Sequence, residues 1–86
     1  MNATFSKKFI KQYGIAPEPI RQAFDERLEI FLSDNFDSRL NNHQLRGKLK
    51  GTRSINISGD WRALFQESQN GDVVFKAFGT HSQLYK

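Results

Sequence analysis

The chain holds two histidines, His43 and His81, and no cysteine. Histidine is the side chain whose unperturbed charge change lies nearest neutral pH, so these two are the candidates for moving a proton. His43 stands in NHQLRGKLKG and His81 in GTHSQLY at the C-terminal end of the sequence. Between them GDWR sets an acid, Asp60, two residues before a base, Arg62. An aspartate after glycine is also ordinary turn chemistry. An arginine can grip a phosphate through two parallel hydrogen bonds or pair with a surface acid. Two histidines without cysteine are a poor metal-ligand set unless carboxylates join them.

Charge points toward a phosphate-rich partner. From Ser38 to Gly59 there are five bases, Arg39, Arg46, Lys48, Lys50 and Arg53, and no acid. From Glu18 to Asp34 there are five acids against two bases, while the whole chain carries +4. Such segregation suggests a surface facing a polyanion, with nucleic acid the first candidate. Arg46, Lys48, Lys50 and Arg53 suit backbone phosphates, which position a ligand without reading its sequence. Lysines kept for solubility and edge protection give the same pattern.

The positioning elements follow from periodicity. A chain of 86 residues is read as a single domain, 1–86, near the lower limit for one apolar core. Phe5, Phe9 and Tyr13 recur at helical spacing, with Ser6 as N-cap and Gly14 as a left-handed terminator. After APEP, the residues Ile20, Phe24, Leu28 and Phe31 predict a longer second helix to about Leu32, with Glu18 in its first turn. The period then changes. SINIS sets Ile55 and Ile57 on one face and Ser54, Asn56 and Ser58 on the other. WRALFQ and DVVFKAF continue the alternation, joined by a QNG hairpin signal. ATF at the N-terminus is a candidate edge strand. The expected fold is therefore α/β (α+β), two N-terminal helices on a small, mainly antiparallel twisted sheet of three to four strands.

Trp61 and Arg62 point to opposite faces of their strand, so only one can join a core under the helices. If Trp61 is core, Arg62 faces the substrate; Trp61 is otherwise a substrate contact itself. No stretch has the h-region of a signal peptide or the length to span a bilayer, and the absence of cysteine suits a reducing compartment, so a cytoplasmic protein is expected.

Three phrases in order, NHQLRGKLKG, SINISGDWRALF and GTHSQLY, resemble the RelE/ParE toxin superfamily, and within it the YafQ-like mRNA interferase branch of type II toxin–antitoxin systems. The resemblance implies cleavage of mRNA in the ribosomal A site by attack of a ribose 2′-OH on the adjacent phosphate, with no metal or cofactor, and neutralisation by a cognate antitoxin protein. Any DNA contact would come through the antitoxin complex. It implies that His81 is catalytic as general acid, that His43 does acid–base work or binds phosphate, and that Asp60 orients a histidine or acts as base. Tyr85 occupies the place of a terminal aromatic that stacks on an mRNA base. Thr80 and Ser82 would fix the His81 imidazole, Gly79 would turn the chain, and Leu84 would anchor the tail. YafQ-like relatives often carry a further histidine where this chain has Asn56, which can bond a phosphate or ribose but cannot shuttle a proton. Two other readings share the fold: a ParE-like poison of DNA gyrase, and an inactive toxin that survives as an antitoxin-binding module. The GTHS ending argues against the first, and Asn56 leaves the second open.

Overall fold

The computed structural model describes residues 1–85. Its first helix, α1 (Lys7–Ile15), begins where the Ser6 hydroxyl accepts a hydrogen bond from the Phe9 N–H at 3.1 Å. Gly14 is not its terminator. The helix runs past it to Ile15 and stops at Ala16, which is extended (φ −71°, ψ 151°) because Pro17 follows and excludes the helical conformation before it. The second helix, α2 (Glu18–Ser33), starts with Glu18 in its first turn and ends near the expected boundary.

Five strands form one sheet: β1 (Ala3–Phe5), β2 (His43–Gln44), β3 (Arg53–Ser58), β4 (Trp61–Glu67) and β5 (Val73–Thr80), in the order β1-β5-β4-β3-β2. The β1–β5 pair is parallel and the other pairs are antiparallel. The three expected strands and the N-terminal edge strand are present. The fifth, β2, has only two residues, too short to leave an alternating pattern, and pairs His43 with Ser54 and Gln44 with Arg53. A terminal helical turn, α3 (His81–Leu84), follows β5 directly.

Both helices lie on one face of the sheet. Phe75 on β5 is the hub: its ring centroid lies 5.5–5.7 Å from those of Phe5, Phe9, Phe24, Phe31 and Phe65. A bulge makes this possible. The β4–β5 register shifts between Leu64 and Phe65, so that Phe75 and Phe78, three residues apart, both face the helices. Beyond Phe75 the edge of β5 has no strand beside it. There the Ser6 hydroxyl donates to the Lys76 carbonyl, and Gln12 of α1 accepts from the Phe78 N–H at 2.7 Å.

The opposite face is covered too. Leu64 and Ala77 are buried there, and so is Ser54, beside the chain from Asn41 to Thr52 that pairs with β3 through His43 and Gln44. Phe75→Ala should lower stability by about 3–5 kcal/mol in a urea titration, the usual cost of emptying a buried aromatic site. Phe36→Ala, at a ring 64% exposed, should change it by about 0.5 kcal/mol or less.

Candidate active site

The second face of the sheet carries the polar groups. Asn56 of β3 and Arg62 of β4 are directly opposed in the register and point away from the helices. Trp61 takes the other side, half-buried with its ring 5.6 Å from that of Phe78. Arg62 is held at one end only. Its Nη1 donates to the carbonyls of Gly59 (2.8 Å) and Trp61 (2.9 Å), and its other two guanidinium nitrogens have no protein acceptor among the described residues.

A turn sequence brings His43 to this face. The Asp37 carboxylate accepts from the backbone N–H and the guanidinium of Arg39, whose hydrogen bonds hold it well below the usual carboxylate range. The short 3-10 turn Ser38–Leu40 that follows ends at Asn41, in the left-handed conformation at φ 47°, which asparagine tolerates better than most residues. The Asn41 carbonyl thereby meets His43 Nδ1 at 2.8 Å. After β2 the chain crosses the sheet face and is tied back by the Leu45 N–H to the Thr52 carbonyl (2.9 Å) and by Gln66 Nε2 to the Thr52 hydroxyl (3.2 Å).

His81 arrives from the other end of the chain. Its N–H donates to the Asp60 carbonyl at 3.0 Å, fixing the start of α3 to the β3–β4 turn. Thr80 and Ser82 do not hold the imidazole as expected. Thr80 instead caps the turn: its hydroxyl accepts from the Gln83 N–H (3.4 Å), and Gln83 Oε1 accepts from the Thr80 N–H (2.9 Å), a reciprocal capping box. Gly79 does not turn the chain either, since β5 continues through it to Thr80. Its lack of a side chain serves close approach, because a Cβ there would lie 2.8 Å from Gln83 Oε1. The Tyr85 N–H bonds the His81 carbonyl (3.0 Å), and the two rings meet edge to face at 4.5 Å.

These pieces enclose a cleft of ≈ 330 Å³ lined by His43, His81, Arg46, Arg62, Asn56 and Tyr85, with Asn41, Leu45 and Leu49 completing the wall. Two arginines and two histidines face it and no carboxylate does, which suits an anionic ligand. No cluster of three or more histidine or acidic side chains that could hold a metal occurs among the described residues.

Five predicted residues lie elsewhere. Asp60 is exposed, and its carboxylate bonds neither imidazole; what it gives the site is its backbone carbonyl. Trp61, considered as a substrate contact, belongs with the core because alternation gives the cleft side to Arg62. Arg53 is also on the helix side, its Nε donating to Asn42 Oδ1 (2.8 Å) and its guanidinium 5.4 Å from the centre of the Phe36 ring. Lys48 stands exposed on the second 3-10 turn, Gly47–Leu49, outside the cleft lining. Lys50 lines a neighbouring hollow with Gln44 and Arg46, so Arg46 borders both. Asn41, Leu45 and Leu49 were not anticipated; the Asn-Asn pair before His43 is the one signal of a left-handed turn that pointed to Asn41. An apolar hollow of ≈ 210 Å³ between the helices, lined by Phe5, Ile10, Tyr13, Phe24 and Leu28, offers an anion only the Asp25 carboxylate and the Tyr13 hydroxyl that bonds it.

The family model described as the bacterial toxin of type II toxin–antitoxin systems, YafQ, matches residues 1–86. The chain belongs to this family. The YafQ-family fold is shared with solved structures. YafQ from E. coli strain BL21(DE3) superposes with a TM-score of 0.83 at 17% identity, over 99% of this chain and 98% of that one. The YoeB/ParE toxin from Agrobacterium tumefaciens gives 0.78 at 12% identity, over 94% and 99%. The toxin chain in the E. coli DinJ–YafQ toxin–antitoxin complex gives 0.76 at 21% identity, over 99% and 97%. No individually curated protein matches the sequence. This YafQ-family member is thus a toxin of the type II toxin–antitoxin class.

Gly79→Ala should push the Gln83 amide off the Thr80 N–H and cost about 1 kcal/mol, the usual worth of a helix cap. Amide hydrogen exchange should accelerate at Gln83 and Tyr85 while core amides stay protected. Unchanged exchange at Tyr85 would remove the capping box as the device that holds the turn.

Proposed function

We propose that this toxin is an endoribonuclease that cuts mRNA on the translating ribosome, and so acts in the cytoplasm, where a cognate antitoxin neutralises it. What carries the reading is the meeting of both histidines with Arg62 in one cleft free of acids. Breaking an RNA strand through its own 2′-OH needs a base, an acid for the 5′-oxygen, and positive charge beside the phosphate. Each has a candidate here. The Asn41 carbonyl can only accept, so the 2.8 Å contact assigns the proton to His43 Nδ1 and leaves Nε2 with a free lone pair. Nε2 takes the 2′-OH proton, the 2′-oxygen attacks phosphorus, and the bond from phosphorus to the 5′-oxygen breaks. His81 in its protonated form gives a proton to that departing oxygen. The products are a 2′,3′-cyclic phosphate and a 5′-hydroxyl. The free edge of Arg62 holds the phosphoryl oxygens as their charge grows. Tyr85 offers a stacking face to a base, and Arg46, Lys48 and Lys50 give backbone contacts to mRNA or rRNA. For the antitoxin, the supporting observation is that similar folds occur in DinJ–YafQ and RelB–RelE complexes.

Induced expression should arrest growth and yield transcripts cleaved only while translation runs. His81→Ala should keep the fold and lower the single-turnover cleavage rate by about 10²–10⁴, the range for a lost general acid. Asp60→Asn, which keeps the backbone carbonyl, should lose about tenfold or less, since the Asp60 side chain is exposed and outside the cleft lining. Intact transcripts during arrest would refute the nuclease reading, and a DNA supercoiling assay would then test the gyrase alternative.

A further inference from the structure

Two buried side-chain oxygens have no hydrogen-bond partner among the described residues: Ser54 Oγ and Asn56 Oδ1. Both belong to β3 and lie on its cleft face, two residues apart. An unpaired buried oxygen is a cost that native structures rarely keep without a use for it. Asn56 lines the cleft opposite Arg62, and with Oδ1 on the buried side its Nδ2 is the end that reaches the open space.

We infer that Asn56 is a phosphate contact, its Nδ2 donating to a non-bridging oxygen of the same phosphate that the free edge of Arg62 grips. The inference rests on the endoribonuclease reading and fixes what this side chain does within it. An amide can turn over, presenting either oxygen or N–H to the cleft. With a phosphate present, an outward Oδ1 would set acceptor against acceptor, and only Nδ2 can bond it. Ser54 Oγ, the other unpartnered oxygen on this face, does not bond Oδ1 in this structure. Asn56 then acts beside Arg62 as a second, neutral donor to the developing charge. It leaves the proton transfers to the two histidines, so its loss lowers the rate equally at every pH.

Donor and acceptor roles predict opposite signs for one substitution. In Asn56→Asp the carboxylate stands beside Arg62, repels a phosphate and ties up the guanidinium, whereas an oxygen that receives the 2′-OH proton would be improved by the same change. The test is an NMR titration of the purified protein with an RNA trinucleotide carrying a 2′-deoxy sugar at the scissile step. The expected result is binding about tenfold weaker in Asn56→Ala and about 100-fold weaker in Asn56→Asp, the scale of one and two lost charge-assisted bonds. Asn56→Asp that binds as well as Asn56→Ala or better, or wild-type protein that does not bind, overturns the contact. Should Asn56→Asp not fold, Asn56→Ala decides alone, and binding within twofold of wild type overturns it. If the expected order holds but wild-type protein cuts no RNA on translating ribosomes, the nuclease reading fails and the phosphate contact stands.

Discussion

The packing of phenylalanine rings around Phe75 is the interaction on which the rest of the molecule depends. With 86 residues and no cysteine, cohesion comes from burial, and aromatic side chains bury the most surface per residue. Both helices and the N-terminal strand meet at that ring, so the helix side of the sheet is committed to stability. The second face is thereby released to carry polar groups. Its strands are rigid because their other side is core, and a site built on rigid strands holds its geometry better than one built on loops alone.

Alternation carries this constraint to the chemistry. Because Ala63 and Phe65 must face the core, Arg62 must face the cleft, and a slip of one residue would bury the guanidinium and expose the apolar set. Two bulges tune the result. One, between Asn56 and Ser58, falls where β3 hands over to the turn that anchors His81. The other lets Phe78 join the core while Gly79 keeps the side that Gln83 approaches. The two histidines at the cleft mouth are fixed to this frame, His43 by its pairing with Ser54 and by Nδ1 to the Asn41 carbonyl, and His81 by its N–H to the Asp60 carbonyl.

Most of the architecture was legible, since period is a local signal. The two helices, the β3, β4 and β5 alternation, the Ser6 cap and the helix-side place of Trp61, given a core, all follow from spacing. What was not legible depended on neighbours distant in sequence. Two residues of β2 show no period, and Ser54 is buried beside the chain that pairs through them with β3. Arg53 looked like the exposed lysines before it until β3 set its parity toward Phe36 and Asn42. Thr80 and Gln83 form a capping box whose residue types are in the sequence, yet the hydroxyl was assigned to the imidazole because the histidine stood next to it. The charge run from Ser38 to Gly59 was correct as composition, but only Arg46 of its five bases lines the cleft.

A division of labour follows from the same geometry. The cleft holds two groups that can carry a proton near neutral pH and two guanidiniums that cannot, with an amide between them. In the proposed reaction, proton transfer falls to parts at the periphery, the turn α3 and the two-residue β2, and charge stabilisation falls to β3 and β4. Groups that stabilise charge act best when they are fixed before the reaction, because then no reorganisation is needed as the charge develops. Groups that carry protons must instead meet the substrate, and apo contacts of this kind tighten only once it is bound. The half of the site on β3 and β4 lies over the core, and the other half lies on a two-residue edge strand and a single helical turn.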